Sequence, residues 1–170
     1  MNDTSRSDWY ILYTLPNLEN KVVSFLNKKE VVNFCPFINT NEWDMYGNKK
    51  TSKPLFPSYV FVFVQFSELE KLKNTPGVMN VVYRLSEPAV IYPREIALMQ
   101  DCIKQYKNVI VSKTSIRHNN SFDLSVSKFE REGENIQIEL PSLGYMLSAK
   151  KKEEKHLHSI SNQPMYQHAG

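Results

Sequence analysis

The chain has 170 residues, enough for one ordinary domain or two small ones, and sixteen of its twenty Phe, Trp and Tyr residues precede Lys107. Its 21 basic and 18 acidic residues nearly balance. This excludes a protein that binds nucleic acid mainly through a stripe of basic residues in contact with phosphates. Two unequal parts are therefore expected, with the main core in the first two thirds and protein surface as the main partner.

The first elements alternate strand, helix and strand. WYILYT, Trp9 to Thr14, is apolar on both faces and predicts a central strand. The following helix is expected to be capped by Asn17, with Leu18, Val22, Phe25 and Leu26 at helical spacing. A second short strand is expected over residues 31–36.

A polar segment over residues 39–53 indicates an exposed hairpin or loop, a place for contacts. Next, residues 59–64 predict a strand with Tyr59, Phe61 and Phe63 on one face and valines on the other. Ser67 and Glu70 have capping-box spacing for a short helix that stops near Pro76 and Gly77. A strand over residues 78–83 and a third helix, opened by Pro93 and carrying Ile96, Met99, Ile103 and Tyr106, complete this part.

Beyond this point the pattern changes to short strands at residues 109–111, 122–129, 136–140 and 143–149. A small all-β module is the simplest interpretation. From Lys150 the sequence has no usable periodicity, and a mobile tail is expected. The predicted division is therefore a first domain over residues 1–106, a small β domain over 107–150 and a tail over 151–170.

This element order predicts an α+β fold with a ferredoxin-like, split βαβ first domain, whose helices cover one face of an antiparallel sheet. The strands at residues 9–14 and 59–64 are apolar on both faces, but the helices can bury only one of them. The other face is expected to be open for a partner, because large apolar patches on soluble proteins usually mark interaction sites. The alternative is that the third helix or the β module packs over this face.

Taken in order, WYILYT, a helix, NFCP, a polar hairpin, PLFPSYVFV and TPGV resemble the N-terminal domain of the NusG family of transcription factors. The resemblance covers about residues 9–106. It is strongest toward the specialised RfaH-like and UpxY-like antiterminators, whose PLFPNYLFV is similar to PLFPSYVFV. It implies a non-enzymatic factor that suppresses pausing or termination; in UpxY-like relatives the targets are surface polysaccharide operons.

In that family the open face docks on the clamp helices of the RNA polymerase β′ subunit. By motif position, the resemblance assigns RNA polymerase binding to Tyr13, Phe56, Tyr59 and Phe61. Core packing is the alternative role for Phe56 and Phe61, whereas the two tyrosines suit a wet interface because each has a polar tip.

RfaH-like members also read the non-template DNA strand with basic residues on the first helix, and Lys21 and Lys28 occupy two such positions. Phe25 and Pro76 stand where that subfamily has polar or basic residues, so its DNA recognition is not carried over. Contact with DNA or nascent RNA is therefore weighed against a solvated helix face. The β module resembles a degenerate KOW-type barrel, with the ribosome, a termination factor or the first domain as its candidate partners.

Catalytic and cofactor motifs are missing from the sequence, which contains no phosphate loop, no CxxC, no HExxH and no nucleophile elbow. Neither an enzyme nor a cofactor is expected. His156 and His158 beside Glu153 and Glu154 are interpreted as solubilising tail rather than as a metal site.

The two cysteines, Cys35 and Cys102, lie in apolar segments and indicate buried thiols in a reducing cytoplasm. A polar N-terminus and the absence of the roughly 18 uninterrupted apolar residues of a membrane span predict a soluble protein without membrane contact.

Two other functions share the predicted fold. An RRM-like protein would stack single-stranded RNA on the aromatic residues of the central strands, although PSYVFVFV lacks the basic residue and the glycine of the RNP1 motif. A non-catalytic scaffold or regulator would keep the fold and lack polymerase binding. Affinity for short RNA, or self-association through the open face, would distinguish these alternatives from a polymerase-binding factor.

Overall fold

The computed structural model describes residues 6–44, 47–114 and 129–151. A 3-10 turn, Phe66–Glu68, precedes the second helix. In chain order the helices and strands are β1 Ser7–Thr14, α1 Glu19–Lys28, β2 Asn33–Phe34, β3 Phe37–Asp44, β4 Gly47–Pro54, β5 Tyr59–Gln65, α2 Leu69–Lys73, β6 Val78–Val81, β7 Tyr83–Arg84, β8 Glu87–Pro88, α3 Pro93–Gln105, β9 Tyr106–Lys113, β10 Phe129–Glu132, β11 Asn135–Leu140 and β12 Tyr145–Lys151.

The first sheet has the strand order β2-β5-β1-β6 and is antiparallel throughout. Since β1 and β2 flank β5 and are joined through α1, this is the split βαβ arrangement, and the predicted α+β fold class is confirmed. Helices α1 and α2 cover the face that carries Leu12, Val60 and Val62, all of which are fully buried. The opposite face of the same two central strands carries Trp9, Tyr13, Tyr59, Phe61 and Phe63.

Two predicted helix caps are wrong. Asn17 lies before the N-cap residue, Leu18, and adopts a left-handed backbone with φ 63°. The capping box is formed by Gln65 and Glu68, because the chain first makes a 3-10 turn and α2 begins only after it. Glu70, the predicted box residue, instead pairs with Lys73 at 2.6 Å.

The predicted hairpin is present, since β3 and β4 pair in continuous register from Phe37 opposite Pro54 to Asp44 opposite Gly47. Helix α3 begins at Pro93, as predicted, but Tyr106 is the first residue of β9 and not part of the helical stripe.

The turn before β6 requires glycine at position 77. Gly77 has φ +95°, and a Cβ there would stand 3.0 Å from Val22 Cγ2 on α1 and 3.5 Å from Cβ of its N-cap residue, Leu18. Gly77→Ala is therefore expected to lower the free energy of unfolding by about 2–4 kcal/mol, through backbone strain and overpacking together. The measurement is urea unfolding followed by circular dichroism.

Gly133→Ala is the matched control for this substitution. Gly133 also has a left-handed backbone, with φ +60°, but a Cβ there meets no atom within 4 Å. Backbone strain alone is expected to cost about 1–2 kcal/mol. Equal losses in the two variants would contradict a specific role for the contact between the turn and α1.

The second sheet has the strand order β10-β11-β12-β9 and is also antiparallel. Its first strand, β9, begins at Tyr106, immediately after the last residue of α3. Of the predicted strand at 122–129 only residue 129 is described, and the predicted tail from residue 152 onward lies outside the described residues. The division into a first domain and a separate β domain stays a prediction, because the two sheets share a core.

Two hydrophobic cores follow from this arrangement. One lies between the first sheet and the helices α1 and α2, and it includes Leu12, Val22 and Leu26. The other, called here the shared core, lies between the aromatic side of the first sheet, α3 and the second sheet; its buried members are Ile11, Leu55, Phe56, Phe61, Ile91, Ile96, Met99, Cys102, Val109, Ile136, Ile138, Leu140, Leu147 and Ala149. No helix in the described ranges is long and apolar enough to cross a bilayer.

Candidate functional site

The candidate site is the face of β1 and β5 that points away from α1 and α2. Its six residues face each other in register and define the aromatic face: Trp9 opposite Phe63, Ile11 opposite Phe61, and Tyr13 opposite Tyr59. Strand alternation places all six on one side, as the sequence predicts. The ring centroids of Trp9 and Phe63 are 5.5 Å apart, and those of Tyr13 and Tyr59 are 6.3 Å apart in an edge-on arrangement.

The expectation that this face is open is wrong for its centre. Ile11 and Phe61 are buried in the shared core together with Ile138 and Leu147 of the second sheet. The physical reason is that the second sheet is itself apolar on one side, and packing the two apolar faces together removes both from water. The structure agrees with the alternative, in which the third helix or the β module packs over the face, because the shared core contains residues of both α3 and the second sheet.

The two ends of the aromatic face remain accessible. Tyr13 is 40% exposed at one end, and Phe63 is 38% exposed at the other. At the tyrosine end a cavity of about 370 Å³ opens between the two sheets. Its lining combines residues of both sheets and is uncharged throughout: Tyr13, Leu55, Phe56, Pro57, Tyr59, Val111 and Tyr145.

Aromatic rings connect the two sheets beside this cavity. Phe56 lies edge-on to Phe61, with centroids 6.0 Å apart, and edge-on to Tyr145 of β12 at 5.6 Å. Burial raises the pKa of Tyr59, and the nearby hydroxyl groups of Tyr145 and Tyr13 raise it further. The phenol therefore stays protonated at neutral pH, and the cavity offers apolar surface together with neutral hydrogen-bonding tips.

The turn that contains Phe56 and Pro57 is held in place by hydrogen bonds to α1, on the other side of the sheet, and to β1. Ser58 adopts a left-handed backbone with φ 65°, and its N–H donates to the buried Glu19 carboxylate of α1 at 2.8 Å. The Thr14 N–H of β1 donates to the Ser58 carbonyl at 2.8 Å. These bonds hold the turn beside the end of β1, which brings Phe56 and Tyr59 next to Tyr13.

The structure places the four predicted docking residues together at this site. Tyr13 and Tyr59 line the cavity and are partly accessible, whereas Phe56 and Phe61 are buried in the shared core. The sequence did not predict that Tyr145 and Val111 of the second sheet complete the cavity. The residue pattern of a strand indicates which face is apolar but not which surface packs against that face.

Lys21 and Lys28 lie elsewhere. Both are exposed on α1, which packs on the opposite face of the first sheet. Lys28 Nζ stands 5.9 Å from the centre of the Phe25 ring, a cation–π contact within the helix. His156, His158, Glu153 and Glu154 lie outside the described residues.

Residues 7–100 match the family model described as transcription termination factor nusG. Among solved structures, one described as "Domain interaction in Thermotoga maritima NusG" is 18% identical and has a TM-score of 0.46, covering 88% of this chain and 99% of that one. No curated protein matches the sequence closely enough to count as a relative.

Proposed function

This chain belongs to the NusG family of transcription factors, and from that membership we propose that it docks on RNA polymerase through the aromatic face. The family is non-catalytic, and its kind of function is the modulation of transcription elongation, termination or antitermination. The proposed target on the polymerase is the clamp-helix region of the β′ subunit. Docking there would stabilise a closed clamp and suppress pausing without any bond being made or broken.

The observation that carries this proposal is the tyrosine end of the aromatic face. Tyr13 and Tyr59 are paired across two central strands and line an uncharged cavity. Rigid aromatic side chains with polar tips, set in an apolar surround, are typical of the residues that dominate protein–protein interfaces.

Full docking also requires the second sheet to move. Phe61 and Ile11, the centre of the aromatic face, are buried in the shared core together with residues of the second sheet and α3, which leaves almost no accessible surface for a partner. The accessible tyrosine end supports a sequence of events in which the partner first contacts Tyr13 and Tyr59 and then replaces the second sheet over Phe61. In this proposal the β module covers the docking site before recruitment and is released for a partner of its own, such as the ribosome or a termination factor.

Nucleic-acid contact is a secondary part of the proposal. Lys21 and Lys28 are exposed on the side of the first sheet that the second sheet leaves uncovered, so they can reach DNA or nascent RNA while the aromatic face is occupied. The near identity of PLFPSYVFV to the corresponding RfaH-like and UpxY-like segment supports an operon-specific factor, with surface polysaccharide operons as the proposed target class.

Single-strand RNA binding on the aromatic face is less well supported. Base stacking on central strands needs an accessible ring at the centre of the sheet, and Phe61 is fully buried. The lining of the cavity has no cationic side chain for the phosphates of a nucleic acid.

The test is capture of purified bacterial core RNA polymerase by the immobilised full chain. Changing both Tyr13 and Tyr59 to alanine is expected to weaken capture by about tenfold or more, since aromatic anchors at interfaces contribute about 1–2 kcal/mol or more each. Tyr83→Ala is the matched control, because Tyr83 is as exposed as Tyr13 and lies outside the aromatic face.

Equal capture by the wild type and the double variant would show that the tyrosine end is not the docking site. Absence of capture by the wild type and also by the opened Ile138→Asp variant described in the Discussion would overturn polymerase docking altogether. Binding of short RNA by the same proteins, measured in parallel, would then favour the RNA-binding alternative.

A further inference from the structure

In the turn between β11 and β12, Ser142 forms hydrogen bonds to residues of β7 and α3, two elements that neighbour the first sheet. Ser142 is buried, and each of its three polar groups bonds a residue far away in the sequence. Its N–H donates to Glu95 Oε1 at 2.9 Å, its hydroxyl donates to Glu95 Oε2, and its carbonyl accepts from Arg84 Nη2. The Tyr92 N–H also approaches the Ser142 hydroxyl oxygen, at 3.5 Å.

Glu95 is an unusual residue for this position. It lies in the first turn of α3, has no exposed surface, and borders the shared core formed by Ile96 and Met99 of the same helix. Burial raises the pKa of this carboxyl group, while the hydrogen bonds from the Ser142 and Tyr92 backbone and the nearby Arg84 lower it. A buried carboxylate is costly unless it is hydrogen-bonded, and Ser142, in the turn between β11 and β12, donates two hydrogen bonds to it.

We propose that Glu95, Ser142 and Arg84 form a polar latch that holds the second sheet over the aromatic face, and that breaking this latch uncovers the docking site. The inference rests on the proposed function, because it names the regulation of that same site. The hydrogen bonds of Ser142 with Glu95 and Arg84 join the turn between β11 and β12 to α3 and β7. Separating the second sheet from these two elements therefore breaks them.

The composition of the latch suits a contact that must open. An apolar side chain in place of Glu95 would favour permanent packing, whereas a carboxylate regains its hydration when the sheets separate. Arg84 is exposed at the surface, on the short strand β7, so a partner can reach its guanidinium group while the sheets are still together. The shared core supplies most of the attraction between the sheets. The latch fixes their relative position, because hydrogen bonds are directional and apolar contacts are not.

The two natural cysteines allow the opening to be measured in the full chain. Cys102 lies in the shared core, and burial raises the pKa of its thiol to about 11. Cys35, predicted to be buried, is only partly buried against the other core, and desolvation together with the charge of Glu19 raises the pKa of its thiol to about 12. Only the thiolate is alkylated, so at pH 8 each thiol reacts mainly when its own surroundings open. Alkylation of Cys102 therefore reports separation of the two sheets, and alkylation of Cys35 reports opening of the core between the first sheet and α1.

The experiment compares the rates at which iodoacetamide alkylates Cys102 and Cys35, resolved by mass spectrometry, in the full-length wild type, Arg84→Met, Ser142→Ala and the double variant. Each variant is expected to raise the Cys102 rate by about tenfold and to leave the Cys35 rate unchanged, because it removes charge-assisted hydrogen bonds of the closed state only. Arg94→Met and Ser112→Ala serve as controls, since both residues are exposed and lie outside the latch.

Unchanged alkylation of Cys102 in the double variant would overturn the latch. A parallel rise at Cys35 would overturn it as well, because it would show general destabilisation rather than separation of the sheets. Capture of core RNA polymerase by the same proteins distinguishes the two proposals. Faster alkylation of Cys102 with stronger capture supports both, whereas faster alkylation with no capture by any variant supports the latch and overturns polymerase docking.

Discussion

Phe61→Ala is expected to lower the free energy of unfolding by about 3–5 kcal/mol, the largest effect of any single truncation in the aromatic face. Phe61 is fully buried on the central strand β5, and its ring contacts Phe34 at 6.1 Å and Phe56 at 6.0 Å between centroids. Truncation removes these contacts and leaves a cavity at the junction of the two sheets, which the surrounding strands fill only partly. The measurement is urea unfolding of the full chain followed by circular dichroism.

Phe63→Ala is the control, because Phe63 lies on the same strand and the same face but is 38% exposed. Its truncation is expected to cost about 1–2 kcal/mol, since less apolar surface is returned to water. Similar losses in the two variants would mean that the second sheet does not cover the centre of the face in solution. The large stability effect also means that reduced polymerase capture by Phe61→Ala would not identify a docking residue, and the partly exposed tyrosines are the better choice for that test.

Ile138→Asp is expected to detach the second sheet and expose the aromatic face. Ile138 lies on β11 and is buried in the shared core opposite the first sheet. An unpaired carboxylate there would cost several kcal/mol, enough to make the packed arrangement of the two sheets the less stable one. The expected result is alkylation of Cys102 about a hundredfold faster than in the wild type, with stronger capture of core RNA polymerase.

Gln137→Asp is the matched control, because Gln137 is the neighbouring residue of the same strand and its side chain is exposed on the other side. It introduces the same charge and is expected to leave both measurements unchanged. Cys35 should stay protected in Ile138→Asp if the first sheet and its two helices fold without the second sheet. Simultaneous exposure of Cys35 and Cys102 would contradict the predicted division at residue 106 and would show one cooperative unit.

The secondary structure was largely predictable because it depends on local patterns. Alternation over residues 59–64 placed Tyr59, Phe61 and Phe63 on one side of a strand, and they lie there, opposite Tyr13, Ile11 and Trp9. The caps were less predictable, since the capping spacing of Ser67 and Glu70 is the same as that of Gln65 and Glu68, and only the 3-10 turn selects the second pair.

The residues of the candidate site could be predicted from the sequence, but the residues that surround them in space could not. The motifs WYILYT and PLFPSYVFV pointed to Tyr13, Phe56, Tyr59 and Phe61, which do meet at one place in the structure. The sequence did not decide which of them are accessible. A strand that is apolar on both faces has the same pattern whether its second face packs against a partner protein or against another part of the chain.

By itself the sequence determined the fold class, the order of the elements and the family, because side-chain periodicity and short motifs are local properties of the chain. Only the tertiary structure decided that Phe61 lies in a core shared with the second sheet, that Tyr145 completes the cavity, and that Ser142 joins Glu95 and Arg84. Residues 142 and 95 are 47 positions apart, and such long-range contacts depend on how apolar faces are paired in space. That pairing is set by the free energy of burying both faces together, and this free energy cannot be inferred from any one local segment of the sequence.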